Sequence, residues 1–219
     1  MRLINVSIAR SVWLFPTDGL NPLGLDSLAL LIAVKERYAF QKAPSTPEDI
    51  TPASGGLEFL NGSFEYEEKK IMLTALKIFG DGVIAETKHN TDASDALLED
   101  VLKYAVDSFG WTFDESMVKR KAYYSELVID GKLTISGVSD KLQRISNLLS
   151  EDRPRNPFSV AGVRFGVDPT VEGDSNTPQF VIDRRTCVSF TEDRYFCQAP
   201  FTTKEHLHLL GEIEKVINS

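Results

Sequence analysis

Three arginines and three carboxylates crowd "VIDRRTCVSFTEDRYF", from Val181 to Phe196. The stretch reads as strand, turn, strand. Alternation then sends Asp183 and Arg185 to one face and Arg184 to the other. Arg185 and Arg194 could clamp a phosphate or carboxylate, because the guanidinium fork binds such groups through paired hydrogen bonds. Asp183 or Asp193 would supply the carboxylate for acid–base work. This is the arrangement a hydrolase or transferase would need for a phosphorylated or anionic small molecule. The competing reading is a row of cross-strand ion pairs on a solvated face.

Covalent catalysis by serine or cysteine commonly needs an imidazole base. The three histidines are His89, His206 and His208. His206 is the third catalytic candidate, since a helix N-terminus favours its neutral form. It also belongs to an H-x-H pair in "TTKEHLHLLGEIEKVINS". Thr202 and Glu205 have capping-box spacing, which predicts a helix starting there. At roughly 100° per residue, Leu210, Ile213 and Ile217 share a stripe with His206, and His208 lies about 200° away. Rings that point apart cannot jointly hold a metal, so none is expected here. Asp168, Glu172 and Asp174 add oxygens in a loop, but nothing in the pattern fixes their geometry. No dinucleotide fingerprint, P-loop, H-E-x-x-H or G-x-S-x-G motif is present, and no cofactor is expected. Cys187 and Cys197 lack metal-site spacing and read as free thiols, with a cross-strand disulfide as the alternative.

Composition sets the frame for these residues. The chain has 219 residues, 42% hydrophobic and 26% charged, which is ordinary globular composition. A net charge of -8 disfavours general attraction to nucleic-acid phosphates. The densest basic stretch, "VKRKAYY", is flanked by Asp114, Glu115 and Glu126. The N-terminal segment does not read as a signal peptide, and "LALLIAV" is far too short to span a membrane. Cytoplasm is the expected compartment.

The elements follow from pattern. "LINVSIARSVWLF" reads as a strand, and Asp26 as the cap of a helix over "SLALLIAVKERY" that is apolar on most sides. Residues 41–56, rich in proline and small polar side chains, read as a surface loop or an internal linker. A three- to four-stranded antiparallel meander follows, with tight turns expected at Asn61-Gly62 and at Gly80-Asp81-Gly82 and a wet turn or edge at "EEKK". "NTDASDALLEDVLKYAVDSFG" predicts an amphipathic helix capped by Thr91 or Asp92 and stopped by Gly110, burying Leu98, Val101, Leu102 and Ala105. A strand, a short amphipathic helix, three more strands and the terminal helix complete the chain. The expected class is α+β, with one or more antiparallel sheets covered by amphipathic helices. The chain reads as one compact protein, with candidate subdomains 1–152 and 153–219.

Without catalytic signatures, the leading expectation is a non-catalytic protein acting through protein–protein interfaces and self-associating. Leu28, Leu31, Ile32, Tyr38 and Phe40 are the candidate interface residues, because aromatic and large aliphatic side chains carry interface energy.

Overall fold

The computed structural model describes residues 1–24, 27–44, 56–133, 135, 139–151, 157–168 and 178–219. Asp26, Glu172, Asp174 and residues 45–55 of the expected loop lie outside them. The described strands are β1 (Arg2–Leu14), β2 (Leu57–Tyr66), β3 (Lys69–Phe79), β4 (Gly82–Thr87), β5 (Arg120–Asp130), β6 (Gly162–Phe165), β7 (Phe180–Arg184) and β8 (Arg194–Ala199). The helices are α1 (Ser27–Arg37), α2 (Thr91–Phe109), α3 (Asp140–Ser150) and α4 (Thr203–Ile217). The strands form an antiparallel sheet in the order β2-β3-β4-β1-β5-β8-β7-β6, so the fold is α+β.

The chain divides into two compact units. One is Ile8–Ser125, and the other combines Met1–Ser7 with Glu126–Ser219. The divisions fall within β1 and β5. Both strands are long, with 13 and 11 residues, and each contributes to both units.

In the unit Ile8–Ser125, β2, β3 and β4 form the expected meander, and β4 also pairs with β1. The turn at Gly80-Asp81 links β3 to β4 as expected. Asn61-Gly62 instead lies inside β2, and the β2–β3 turn is Glu67-Glu68, within the "EEKK" run. These two glutamates adopt φ of 50° and 61°, the left-handed conformation a tight hairpin requires. Gly62 serves a different need. A Cβ there would sit 2.6 Å from the Phe40 ring and 2.8 Å from the Tyr38 carbonyl oxygen. Ser63 donates its backbone N–H to that carbonyl at 2.7 Å, so the segment after α1 passes tightly over β2.

The second long helix, α2, buries Leu98, Val101, Leu102 and Ala105, and Gly110 stops it at φ 67°. The cap is Asn90 rather than Thr91 or Asp92, and its side chain accepts the Ala93 N–H at 2.7 Å. The core gathers Trp13, Phe15, Phe59, Leu76 and Leu97, all at most 1% exposed.

In the other unit, β7 pairs with β6 and β8, and Cys197 stands opposite Ile182. Cys197 is buried and Cys187 exposed, and the two are not bonded. Thr202 and Glu205 make the expected capping box at the start of α4. His206 is buried and His208 exposed. No described helix is long and apolar enough to cross a membrane.

Candidate ligand cavity

The α1 sequence is apolar on most sides, so one face cannot account for all its hydrophobic residues. Leu30, Leu31 and Val34 point inward and are at most 5% exposed, while Leu28 and Ile32 are 44% and 49% exposed. The inward side chains do not close on the rest of the unit. Between them, Leu76 and Val83 of the sheet, and the Leu98–Ala105 stripe of α2, lies a cavity of about 380 Å³. Its described walls are chiefly aliphatic.

Hydrogen bonds hold the polar rim. Thr17, Asp18, Asn21 and Ser27 line the cavity beside the buried Leu20. Thr17 donates its N–H to Gly80 O at 3.1 Å and its hydroxyl to Phe79 O at 2.8 Å, fixing a 3-10 turn at Thr17–Leu20 against the β3–β4 hairpin. Leu20 O accepts the Thr112 N–H at 2.8 Å, and Asn21 Nδ2 donates to Ser27 Oγ at 3.2 Å. Gly110 turns the chain at the end of α2, and Trp111 N–H then donates to Ala105 O at 3.2 Å. Trp111 thereby joins the cavity wall. Its indole Nε1 is buried and has no hydrogen-bond partner among the described residues.

A second polar cluster fixes the other half of α2. Asp95 accepts from Ser11 Oγ, from Trp13 Nε1 at 2.7 Å and from Tyr123 OH at 3.0 Å. Ser94 Oγ donates to Ala9 O at 2.8 Å. The Lys121 ammonium lies 3.8 Å from the Trp13 ring centroid, a cation–π contact. Ser11 therefore meets a carboxylate, not an imidazole. His89 instead stacks edge-on against Tyr66, with ring centroids 5.7 Å apart. This arrangement anchors a helix, because a carboxylate with three donors is satisfied in place.

The residues singled out in the strand–turn–strand stretch are engaged with neighbours. Asp183 pairs with Arg164 at 3.3 Å, and Asp193 with Arg184 at 3.4 Å. Arg184 also lies over the Tyr195 ring, 4.9 Å from its centroid. Arg194 Nε donates to Asp130 at 2.7 Å, and Arg2 donates to the same carboxylate at 2.8 Å. Those two guanidinium groups, Arg194 first, hold the Asp130 carboxyl down at about 2. Arg185 is exposed, and its backbone N–H donates to Arg194 O at 3.0 Å. The geometry thus joins Arg194 to Asp130, so its fork is not open toward Arg185. His206 is fully buried, edge-on to Phe180 with centroids 5.5 Å apart. Burial pushes its imidazole down to about 4, which keeps it neutral. Among the interface candidates, Leu28 and Ile32 are exposed, whereas Leu31, Tyr38 and Phe40 are at most 3% exposed and belong to the core.

The apolar character of α1 on most sides was the one sequence signal at this site. Trp111 left no pattern in the sequence, and the Thr17–Leu20 turn showed only as part of the loop "PTDGLNPLG". They meet only through the fold. No protein-family model matches the chain, and no curated protein matches it significantly.

Proposed function

We propose that this protein is a non-catalytic binding protein and that its unit Ile8–Ser125 holds an apolar small molecule. The cavity supports this reading. Protein interiors are packed as densely as organic crystals. The volume of about 380 Å³ falls within the range of small-molecule sites, roughly 300–1,000 Å³. An aliphatic wall with a few polar groups at one side is the usual construction of a small-molecule site. Ala105 offers a test, since it lines the cavity and is 4% exposed. A naphthalene-based fluorophore should bind the wild-type chain with enhanced emission. Ala105→Phe, which fills the space, should remove that binding without lowering the melting temperature. Equal fluorophore binding by the two proteins would overturn the reading.

A second reading, contact with a protein partner or a second copy, rests on α3. Leu142, Ile145, Leu148 and Leu149 are 37% to 64% exposed on that short helix. Sedimentation at tens of micromolar, a range suited to weak interfaces, should then show a dimer. Ile145→Lys should return it to a monomer. A monomeric wild type would sink this second reading and leave the first untouched.

A further inference from the structure

The sheet has two outer strands, β2 and β6, and their free edges are finished differently. Beyond β2 the chain itself returns, where Ser63 donates its N–H to Tyr38 O at 2.7 Å and Leu60 donates to Lys42 O at 2.8 Å. No described strand pairs with the far side of β6. The groups left over there follow from register. Arg184 donates its N–H to Ala161 O at 2.7 Å, and Gly162 stands opposite Asp183. Antiparallel pairs alternate, so Ala161, Val163 and Phe165 turn their backbone groups toward β7, and Gly162 and Arg164 turn theirs outward. Such edges are commonly blunted by proline, lysine or a bulge. The strand β6 has none of these, and its one charge is Arg164. We propose that β6 pairs with β6 of a second copy, antiparallel about a two-fold axis at Val163.

The edge is self-complementary in that register. Val163 meets Val163 of the second copy, and Arg164 falls opposite Gly162 of the second copy. On one face, Asp183 leans over Gly162, where a Cβ would overlap its Oδ1. The Arg164 guanidinium is 3.3 Å from the Asp183 of its own chain, and the side chain is 65% exposed. Across the pair it would reach over the bare glycine to the Asp183 carboxylate of the second copy. On the other face, Phe165 rests on Phe180, with centroids 6.2 Å apart, and is 59% exposed. The register lays it against Ala161 of the second copy, a small and exposed residue. Moving the axis to Arg164 would set two guanidinium groups opposite each other, and like charges so placed are destabilising. An unrelated strand would have to supply both the cation and the small residue, whereas a second copy supplies them by symmetry. The proposal is independent of the cavity and uses a different surface from the exposed stripe of α3.

The test uses the full chain carrying Ile145→Lys, so that no association through α3 is read as association through β6. Sedimentation from about 10 µM to about 1 mM should show a reversible dimer with Kd on the order of 100 µM, the weakness expected of a small interface. The dimer should loosen as salt rises, because its ion pairs are exposed. Adding Arg164→Pro removes an outward N–H and no bond to β7. It should give a monomer with an unchanged circular-dichroism spectrum. Arg164→Asp should also give a monomer, and Arg164→Asp combined with Asp183→Arg should restore the dimer. In ¹⁵N-labelled protein, the amide resonances of Gly162 and Arg164 should move with concentration. A chain that stays monomeric up to the highest concentration would overturn the inference. So would a dimer that survives Arg164→Pro, or a double charge reversal that remains monomeric.

Discussion

Helices α2 and α4 each cover part of the sheet, but they are held in different ways. In the first half of α2, Ser94 and Asp95 make buried or half-buried ties to Ala9, Ser11, Trp13 and Tyr123, and at its midpoint Asp100 accepts from Arg37 at 3.0 Å and from Tyr38 OH. Its second half borders the cavity. In α4 the order is reversed. Its first half buries His206 and Leu210 completely. Polar ties also hold its exposed far end, where Glu214 accepts the Lys132 N–H at 2.8 Å and Asn218 donates to Lys132 O at 3.0 Å. A helix fixed by directional bonds at one end need not pack closely at the other. Polar substitutions should therefore matter most in the first half of α2, and filling substitutions should be tolerated only in its second.

The largest effect is expected at Asp95. Asp95→Ala would strand three donors, two of them on β1, and should destabilise the protein by about 4 kcal/mol. Asp95→Asn keeps an acceptor for Ser11 and Trp13, and its amide can donate to the Tyr123 oxygen. It should lose about half as much. Urea unfolding would show both as shifts in midpoint at constant slope. Equal losses would mean that charge, not the donor pattern, is what anchors α2.

His206 makes the corresponding test of α4. Burial holds the folded imidazole at about 4, below its ordinary 6.5. As pH falls, the unfolded chain therefore takes up the proton first. The stabilisation is fully present above pH 6.5 and is lost progressively toward pH 4. The gap between the two values corresponds to about 3 kcal/mol. Asp130, held near 2, acts in a lower window, from about pH 4 down to about pH 2. Melting temperatures between pH 7 and 4.5 should fall for the wild type and stay nearly flat for His206→Leu. Parallel curves would show that the ring is not the group being titrated.

Two alanines in α2 sharpen the contrast within that helix. Ala93 is fully buried in the anchored half, and Ala105 faces the cavity. Ala93→Leu should cost about 1–3 kcal/mol by overpacking. Ala105→Leu should be neutral or stabilise by up to about 1 kcal/mol by filling space. Thermal melts of the two variants should therefore move in opposite directions. A loss at Ala105 as large as that at Ala93 would mean that the space beneath the second half of α2 is not free.

Legibility in the sequence followed the range of each interaction. The meander, the α2 stripe and the α4 capping box were legible because each is local and periodic. The opposed fates of His206 and His208 followed from the same helical geometry. Asn61-Gly62 misled because a glycine demanded by close approach looks like a glycine demanded by a turn. The contact with Phe40 that explains it spans more than twenty residues of sequence. The Asp95 cluster was half visible. Asp95 falls on the predicted α2 helix, but its donors come from β1 and β5, and their pairing depends on strand order. The cavity was the least legible feature, because its shape is set by how α1, α2 and the sheet meet, and those elements are far apart in sequence.

Caps are the smallest test of the comparison. Asn90 and Thr202 begin the two helices with the same device, a side-chain oxygen accepting the N–H three residues on, at 2.7 and 3.2 Å. Either change to alanine should cost about 1 kcal/mol. The two costs should nevertheless differ. Asn90→Ala frees the N–H of Ala93, which is fully buried and out of reach of water. Thr202→Ala frees the N–H of Glu205, which is exposed and can be hydrated. Thr202→Ala also breaks the bonds that the Thr202 hydroxyl makes to the Glu205 carboxylate, at 2.7 Å, but that carboxylate returns to solvent. Asn90→Ala should therefore be the more damaging of the two, read as the larger drop in urea midpoint. A larger drop for Thr202→Ala would mean that α4 depends on its exposed bonds more than on its buried ones, reversing the difference between the helices.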